Sequence, residues 1–273
     1  MFLVIKERYM SKIYKFTKKD RYGILYNEAI EYLYAINPSV DINRYLNIEK
    51  KFKSKNDILY RLLVSLQNRQ MSSNVIGIEK EDRKNIIKEI LFDYDSSKIL
   101  DKYNNDNLLN EFNNHFHIKN IESKNNLWRL YSKSIISACE FVNKFEDVED
   151  FDRFVNLFKY NELSSAALPM LLEREIIGLG FPLACDFLKE LGYNEYPKPD
   201  VHIKDIFVAF DLCENNDYSA YKSVIEMAKI VNENPYKVDK IFWLIGSGNF
   251  YLDNISIGRK KDNFINIVKE KEF

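Results

Sequence analysis

The sequence has few residues that turn or break a chain: its 273 residues include only 8 glycines and 6 prolines. A β-sandwich with many short strands needs more turn residues than this, so the composition favours long helices joined by compact connections. The hydrophobic fraction of 46% is ample for a buried core. The sequence therefore predicts a mostly α-helical protein.

Cysteine is also scarce, and long apolar runs are missing. The three cysteines are scattered and no CxxC pair occurs, which excludes the usual ligand spacing of a zinc or iron–sulfur site. An odd, sparse count is typical of a reducing cytoplasm. No run of about 18 apolar residues occurs, so we expect no membrane span. The apolar start at residues 1–5 is too short for the core of a signal peptide, and we expect a cytoplasmic protein.

Excess positive charge is missing as well. The 40 lysines and arginines are balanced by 41 aspartates and glutamates. Because nucleic-acid-binding proteins usually carry a basic excess, this balance counts against such a partner. Basic clusters at 18–19, 50–55 and 259–261 can still contact phosphates, although each is more often a solvated face.

The most informative stretch, residues 168–192, predicts two short helices joined by a glycine hairpin. Pro169 suits a helix start, because the first helical position needs no N–H partner. We expect Gly178 to end that helix with a positive φ, and Pro182 to begin the next one. Glycine N–H groups beside a helix N-terminus can hold a phosphate oxygen, directly or through a bound monovalent cation. The alternative is an ordinary helical corner with a glycine cap.

A single carboxylate follows the hairpin, where two prolines predict an extended approach to Asp200. From here the chain resembles the helix-hairpin-helix DNA glycosylase superfamily. The signature of that family is a Gly-x-Gly hairpin, an alanine four residues on, and an Asp-x-His followed by an aliphatic residue. The chain supplies each part, in order: Gly178-Leu179-Gly180, Ala184 and Asp200-Val201-His202-Ile203.

A second segment is similar to the same family. Residues 56–76 predict a helix with an apolar stripe that ends in the polar run 67–73. This run resembles the Leu-x-x-Gln-x-Ser/Thr segment of the family and places Gln70 at the matching position, with Arg69 beside it. There the amide enters the duplex at the void left by an extruded base, where hydrogen-bonding edges are exposed. The alternative is a helix end that is polar because it is exposed.

The resemblance implies an architecture that periodicity alone does not give. It is a two-lobed, mostly helical fold like that of the helix-hairpin-helix DNA glycosylases, with a cleft between the lobes. Residues 1–55 would be an N-terminal helical extension that packs with the C-terminal lobe. Residues 56–204 would be the central lobe containing the hairpin, and residues 205–273 would complete the other lobe.

The resemblance also implies a chemistry. Cutting an N-glycosidic bond develops positive charge on the sugar, which an ionised Asp200 held close by would stabilise while activating a water. The target base must first leave the stack. The residues expected to bind DNA are Gly178, Leu179, Gly180, Gln70, Arg69 and His202. Tyr131 and Trp243 are weaker candidates for the base pocket, although a core position is the commoner role of such a tryptophan.

A second mechanism in this family uses a lysine two positions after the second hairpin glycine, which attacks the sugar through a Schiff base. Pro182 occupies that position, and Lys189 lies more than a turn further along the helix. The four-cysteine iron–sulfur cluster of the family has no counterpart. We therefore expect a monofunctional DNA glycosylase of base excision repair that acts on double-stranded DNA as a monomer. It would need no cofactor or metal.

Other segments carry weaker predictions. Residues 104–114, rich in Asn and Asp, predict a surface insertion. His115 and His117 behind it predict a surface loop or strand pair, since two histidines make a weak metal signal. Asp147 opens an acidic turn and predicts a helix N-cap.

Two other functions stay open for the whole chain. One is a non-catalytic DNA-binding module that uses the hairpin. The other is a helical interaction protein, in which the hairpin is only a corner.

Overall fold

The computed structural model describes residues 17–50, 52–71 and 73–271, and nearly all regular structure within them is helical. The α-helices, numbered in chain order, are α1 (Lys18–Ile36), α2 (Lys55–Leu66), α3 (Ser73–Ile76), α4 (Lys84–Ile90), α5 (Ser96–Lys102), α6 (Asn105–Phe116), α7 (Leu127–Val142), α8 (Val148–Leu157), α9 (Glu162–Glu175), α10 (Phe181–Glu190), α11 (Val201–Ala209), α12 (Asp217–Ile230), α13 (Pro235–Ser247) and α14 (Lys261–Glu270). Short 3-10 turns lie at Ile42–Tyr45, Arg69–Met71 and Phe92–Tyr94. The strands β1 (Asn249–Phe250) and β2 (Ile255–Ser256) pair antiparallel. The prediction of a mostly helical protein is confirmed.

The chain divides into two compact units. The middle unit is Glu49–Tyr196, and the terminal unit joins the described residues up to Ile48 with those from Pro197 onward. The sequence predicts boundaries after residues 55 and 204, whereas the structure has them after residues 48 and 196. Asp200 therefore belongs to the terminal unit and the hairpin to the middle unit. One reason is that the Lys198 N–H donates to the buried Asp239 carboxylate at 2.6 Å, which ties the proline segment to α13.

In the terminal unit, α1 packs against the C-terminal helices. It begins where Thr17 and Asp20 form a reciprocal capping box. The hydroxyl of Tyr22 on α1 lies 2.7 Å from Ser223 Oγ on α12, so this buried tyrosine has a polar partner. Buried tyrosines of this kind bring large apolar area into the core without leaving an unpaired hydroxyl.

In the middle unit, α2 and α7 pack together at the centre of the core. A capping box of Ser54 and Asp57 starts α2, and Asn126 caps α7 through the N–H groups that follow it. The hydroxyl of Tyr131 on α7 donates to the Leu63 carbonyl on α2 at 3.0 Å. This bond crosses between the two helices inside the core.

The asparagine-rich segment is a helix, which corrects the prediction of a surface insertion there. Asn104 caps α6 by accepting the N–H groups of Asp106 and Asn107 at 3.0 and 2.9 Å. Leu108 and Phe112 lie four residues apart on one face and are fully buried. Burial of that apolar face outweighs the low helix propensity of the asparagines around it.

Pro169 lies inside a helix and not at its start, so that prediction is wrong. Helix α9 begins earlier because Asn161 and Ser164 form a capping box, each accepting the N–H of the other at 2.9 Å. Proline inside a helix removes one backbone hydrogen bond. The first helix of the hairpin is therefore longer than the sequence predicts.

Hydropathy along the helices gives no membrane-crossing candidate. Within residues 17–271, apart from the two undescribed positions, no helix combines the length and the apolar character that a span requires.

Candidate functional site

The hairpin between α9 and α10 is built around one glycine in the left-handed region, Gly178. Gly178 has φ +86°, and a Cβ there would come within 2.7 Å of Ser134 Oγ and 2.8 Å of Arg69 Nη1. Only glycine avoids both the positive φ penalty and these contacts. The predicted positive φ at Gly178 is confirmed, but the first helix already ends at Glu175 with Ile176 as its C-cap, so the prediction that Gly178 ends that helix is wrong.

Gly180 has a different role from Gly178. It is the N-cap of α10 and has φ −74°. The atom nearest to a Cβ added there would be Pro182 Cδ, at 4.0 Å. Its carbonyl accepts the N–H groups of Leu183 and Ala184 at 2.9 and 3.0 Å. Pro182 lies in the first turn of α10, as the sequence predicts.

Two backbone donors of the hairpin have no acceptor in the part of the chain that the structure describes. Leu179 N–H donates to the Ile176 carbonyl at 3.2 Å, and Ile177 N–H donates to Ser137 Oγ at 2.9 Å. The N–H groups of Gly178 and Gly180 have no hydrogen-bond acceptor among the described residues. Free N–H groups beside a helix N-terminus form an anion site when they face solvent.

The structure brings the predicted segments of the middle unit together. Gln70 and Arg69 line an open pocket of about 440 Å³ whose other wall is the hairpin. The full lining is Asn68, Arg69, Gln70, Glu173, Gly178, Leu179, Gly180 and Leu183. Gln70 itself has φ +54°, a conformation that is uncommon outside glycine and found at functional and turn positions.

A buried carboxylate anchors the second hairpin helix to α2. Asp186 on α10 is 7% exposed and accepts hydrogen bonds from Ser65 Oγ at 2.8 Å and Arg61 Nη2 at 3.3 Å. Buried charges are tolerated when they are paired and hydrogen-bonded. Because only two residues separate the end of α2 from the turn Arg69–Met71, this anchor helps to set where Gln70 lies relative to the hairpin.

Sequence reasoning missed two serines that support the hairpin. Ser137 holds the Ile177 N–H, and Ser134 lies against Gly178, as described above. Both are buried on α7, three residues apart. Serines at helical spacing among the apolar residues of one helix are a signal that could have identified them.

Asp200 is the N-cap of α11 in the terminal unit. Its Oδ1 accepts the N–H groups of His202 and Ile203 at 2.9 and 3.2 Å. Its Oδ2 accepts no hydrogen bond from the described residues. The cap fixes the orientation of the carboxylate while one oxygen stays open to a water or a ligand.

His202 packs against α13. A Cβ on Gly246 would lie 2.4 Å from His202 Cβ, so the glycine makes room for the imidazole. The Nδ1 atom is buried without a hydrogen-bond partner among the described residues. Burial lowers the pKa of His202 from its ordinary 6.5. Its expected role in DNA binding stays a prediction.

The two weaker pocket candidates lie in different units. Tyr131 is 4% exposed in the core of the middle unit, and its hydroxyl donates to the Leu63 carbonyl. Trp243 is half-buried in the terminal unit, where Lys240 Nζ lies 5.2 Å from its ring centroid. Their role in a base pocket also stays a prediction.

The described residues contain no group of three or more His, Cys, Asp or Glu side chains that could hold a metal ion. His115 lies in the last turn of α6, with its Nε2 3.7 Å from Glu111 Oε1, and His117 is the left-handed C-cap of that helix. Asp147 caps α8 by accepting the Asp150 N–H at 2.8 Å, which confirms that prediction.

Comparisons of the chain with protein-family models, with curated proteins and with solved structures gave no match.

Proposed function

We propose that the protein is a monofunctional DNA N-glycosylase that removes a damaged or modified base flipped from duplex DNA. The observation that carries the proposal is the open pair of N–H groups at Gly178 and Gly180, with Gln70 across the same pocket. A phosphate binds where such donors meet a helix N-terminus. An amide nearby can then fill the place of the extruded base and pair with the base left behind.

In this proposal Asp200 carries the chemistry. The bond from the deoxyribose to the base breaks as the base departs, and positive charge develops on the sugar. An ionised carboxylate stabilises that charge and orients or deprotonates the attacking water. The N–H groups of His202 and Ile203 hold Oδ1 in place, which leaves Oδ2 for the sugar or the water.

We also propose that the enzyme does not cut the strand. A Schiff base needs an accessible amine in the second hairpin helix. Pro182 has none, and Lys189 on α10 is only 3% exposed. Borohydride treatment with substrate DNA should therefore trap no covalent complex, and a trapped adduct would contradict this part of the proposal.

The test is a panel of duplex oligonucleotides that carry alkylated, oxidised, deaminated or modified bases, scored for abasic sites after alkaline treatment. The wild type should release at least one base. Asp200→Asn should lower that rate by roughly 10²- to 10⁴-fold. Asparagine is as good an N-cap as aspartate, so the variant should keep its fold.

The matched control is Asp147→Asn, which makes the same exchange at the N-cap of α8. It should leave base release unchanged. Salt-dependent gel shifts on the same duplexes separate the other functions. DNA binding without base release from any substrate would indicate a non-catalytic binding module. No binding at low salt would leave a helical interaction protein.

A further inference from the structure

The middle unit contains a second pocket that shares no lining residue with the hairpin pocket. It has a volume of about 670 Å³, which is within the range of small-molecule sites. Helix α2, helix α4 and the turn Phe92–Tyr94 form its walls. The residues used below are Tyr60, Glu79, Lys84, Lys88, Asp93 and Tyr94.

One wall of this pocket is a strained turn. Phe92, Asp93 and Tyr94 have φ values of +48°, +55° and +65°, three consecutive left-handed residues without a glycine. Such conformations cost free energy, and they concentrate at binding and catalytic sites. The turn is held by Asn56 Nδ2, which donates to the Asp93 carbonyl at 3.0 Å. This hydrogen bond helps to keep the turn, and with it Tyr94, in the wall of the pocket.

Two tyrosines form an aromatic corner in the pocket. The ring centroids of Tyr60 and Tyr94 are 4.8 Å apart, with the rings inclined at 49°. Neither hydroxyl has a hydrogen-bond partner among the described residues. Burial raises the pKa of both phenols, so each keeps its proton at neutral pH and can donate it to a ligand.

Charged groups surround this aromatic corner. Glu79 lines the same pocket and accepts a hydrogen bond from Gln67 Nε2 at 3.1 Å. Lys84 and Lys88 lie four residues apart on α4, hence on one face of the helix. Both also belong to ion pairs, described next.

The lysine ion pairs are weak enough to yield to a ligand. Lys84 pairs with Glu81, whose side chain is 87% exposed, and Lys88 pairs with Asp93, whose side chain is 71% exposed. Exposed pairs contribute little free energy, so a phosphate can replace either carboxylate.

We propose that this pocket binds a mononucleotide. The base stacks on the half-buried ring of Tyr60, beside the more buried Tyr94. The two hydroxyls donate to its carbonyl or ring nitrogen atoms, while Glu79 accepts from its N–H groups. The phosphate lies between Lys84 and Lys88. This site is separate from the DNA site proposed above and does not depend on it.

The test is calorimetric titration of the full chain with adenosine 5′-monophosphate, adenosine and inorganic phosphate. The monophosphate should bind about tenfold more tightly than adenosine, and phosphate alone should bind most weakly. Replacing both lysines (Lys84→Gln with Lys88→Gln) should cancel the tenfold advantage and leave adenosine affinity unchanged. Tyr94→Phe should weaken adenosine and its monophosphate alike, by about fivefold for one lost hydrogen bond.

Matched controls make the same exchanges elsewhere in the middle unit. Lys98→Gln changes a side chain that is 67% exposed on α5, and Tyr160→Phe changes a residue that is 89% exposed. Both should bind like the wild type. Gln70→Ala, at the hairpin pocket, should also keep mononucleotide binding, so failure of either proposal is distinguishable from failure of the other.

Three results would overturn the mononucleotide site. One is that neither adenosine nor its monophosphate binds at millimolar concentration. Another is that both ligands bind, but bind the lysine variant and Tyr94→Phe as tightly as they bind the wild type. The third is that the lysine variant loses adenosine and its monophosphate in equal proportion. Because Lys84 and Lys88 are exposed, their variant should fold even if Tyr94→Phe does not, which circular dichroism verifies.

Discussion

Gly246 lies directly against the ring of His202: a Cβ on the glycine would come within 2.4 Å of His202 Cβ and 2.6 Å of Cγ. These atoms are close to the backbone of α11 and cannot swing away like the end of a long side chain. We therefore expect Gly246→Ala to lower the free energy of unfolding by about 1–3 kcal/mol, as overpacking does. Urea denaturation followed by circular dichroism measures this.

Gly23 provides the matched control for Gly246. It also lies inside a helix, α1, but a Cβ there would meet no atom within 4 Å. Gly23→Ala should therefore stabilise the protein by roughly 0.5–1 kcal/mol, the usual gain in a helix interior. Equal effects at the two positions would show that the contact with His202 does not constrain α13.

The two hairpin glycines should respond differently to the same exchange. Gly178→Ala should lower the free energy of unfolding by about 1–3 kcal/mol, because it combines a positive φ with contacts below 3 Å. Gly180→Ala should lower it by less than about 1 kcal/mol, because its φ is ordinary, its Cβ would meet only Pro182 Cδ at 4.0 Å, and what remains is the cost of alanine at an N-cap. Thermal and urea unfolding test both, and a reversed order would contradict the assigned roles.

Asp186 should be a larger contributor to stability than the surface carboxylates. Asp186→Ala removes the acceptor of Ser65 and Arg61 inside the protein, so we expect a loss of roughly 2–3 kcal/mol in the free energy of unfolding. Glu81→Ala, which breaks an exposed pair with Lys84, should change it by less than about 0.5 kcal/mol. A small effect at Asp186 would mean that this carboxylate does not anchor α10 to α2.

The buried imidazole of His202 should make stability depend on pH. Burial lowers its pKa in the folded state, and the nearby cations Lys261 and Arg259 act in the same direction. The carboxylates of Asp200 and Asp205 oppose them. Between the folded pKa and 6.5 the unfolded chain binds more protons, so this residue makes the folded state less stable as the pH falls below about 6.5.

The measurement is the free energy of unfolding at about pH 7.5 and about pH 5 in the wild type and in His202→Asn. The wild type should lose more stability over this interval than the variant does. Carboxylates whose folded-state pKa is lowered, such as Asp95 and Asp152, have an ordinary pKa of 3.8. The stability that they contribute is therefore lost only as the pH falls towards 3.8 and below, outside this interval. An identical loss in both proteins would show that His202 does not titrate as described.

Several local features follow from short stretches of sequence. The cap at Asp147, the positive φ at Gly178 and the helix start near Pro182 each depend on a few neighbouring residues, and the structure has all three. The prediction of secondary structure failed where the burial of side chains, and not local propensity, decides whether a segment is helical. Asn105–Phe116 has poor local propensity and is a helix because Leu108 and Phe112 are buried.

The sequence alone determined the helical class, the left-handed conformation of Gly178 and the helix cap at Asp147, because each depends on composition or on a few neighbouring residues. Tertiary structure decided which residues meet. Gln70 lines the same pocket as Gly178, 108 positions later (178 − 70), because the buried Asp186 anchors α10 to α2. Local propensity acts over a few residues, whereas such pairings depend on the packing of whole helices, which no short stretch of sequence specifies.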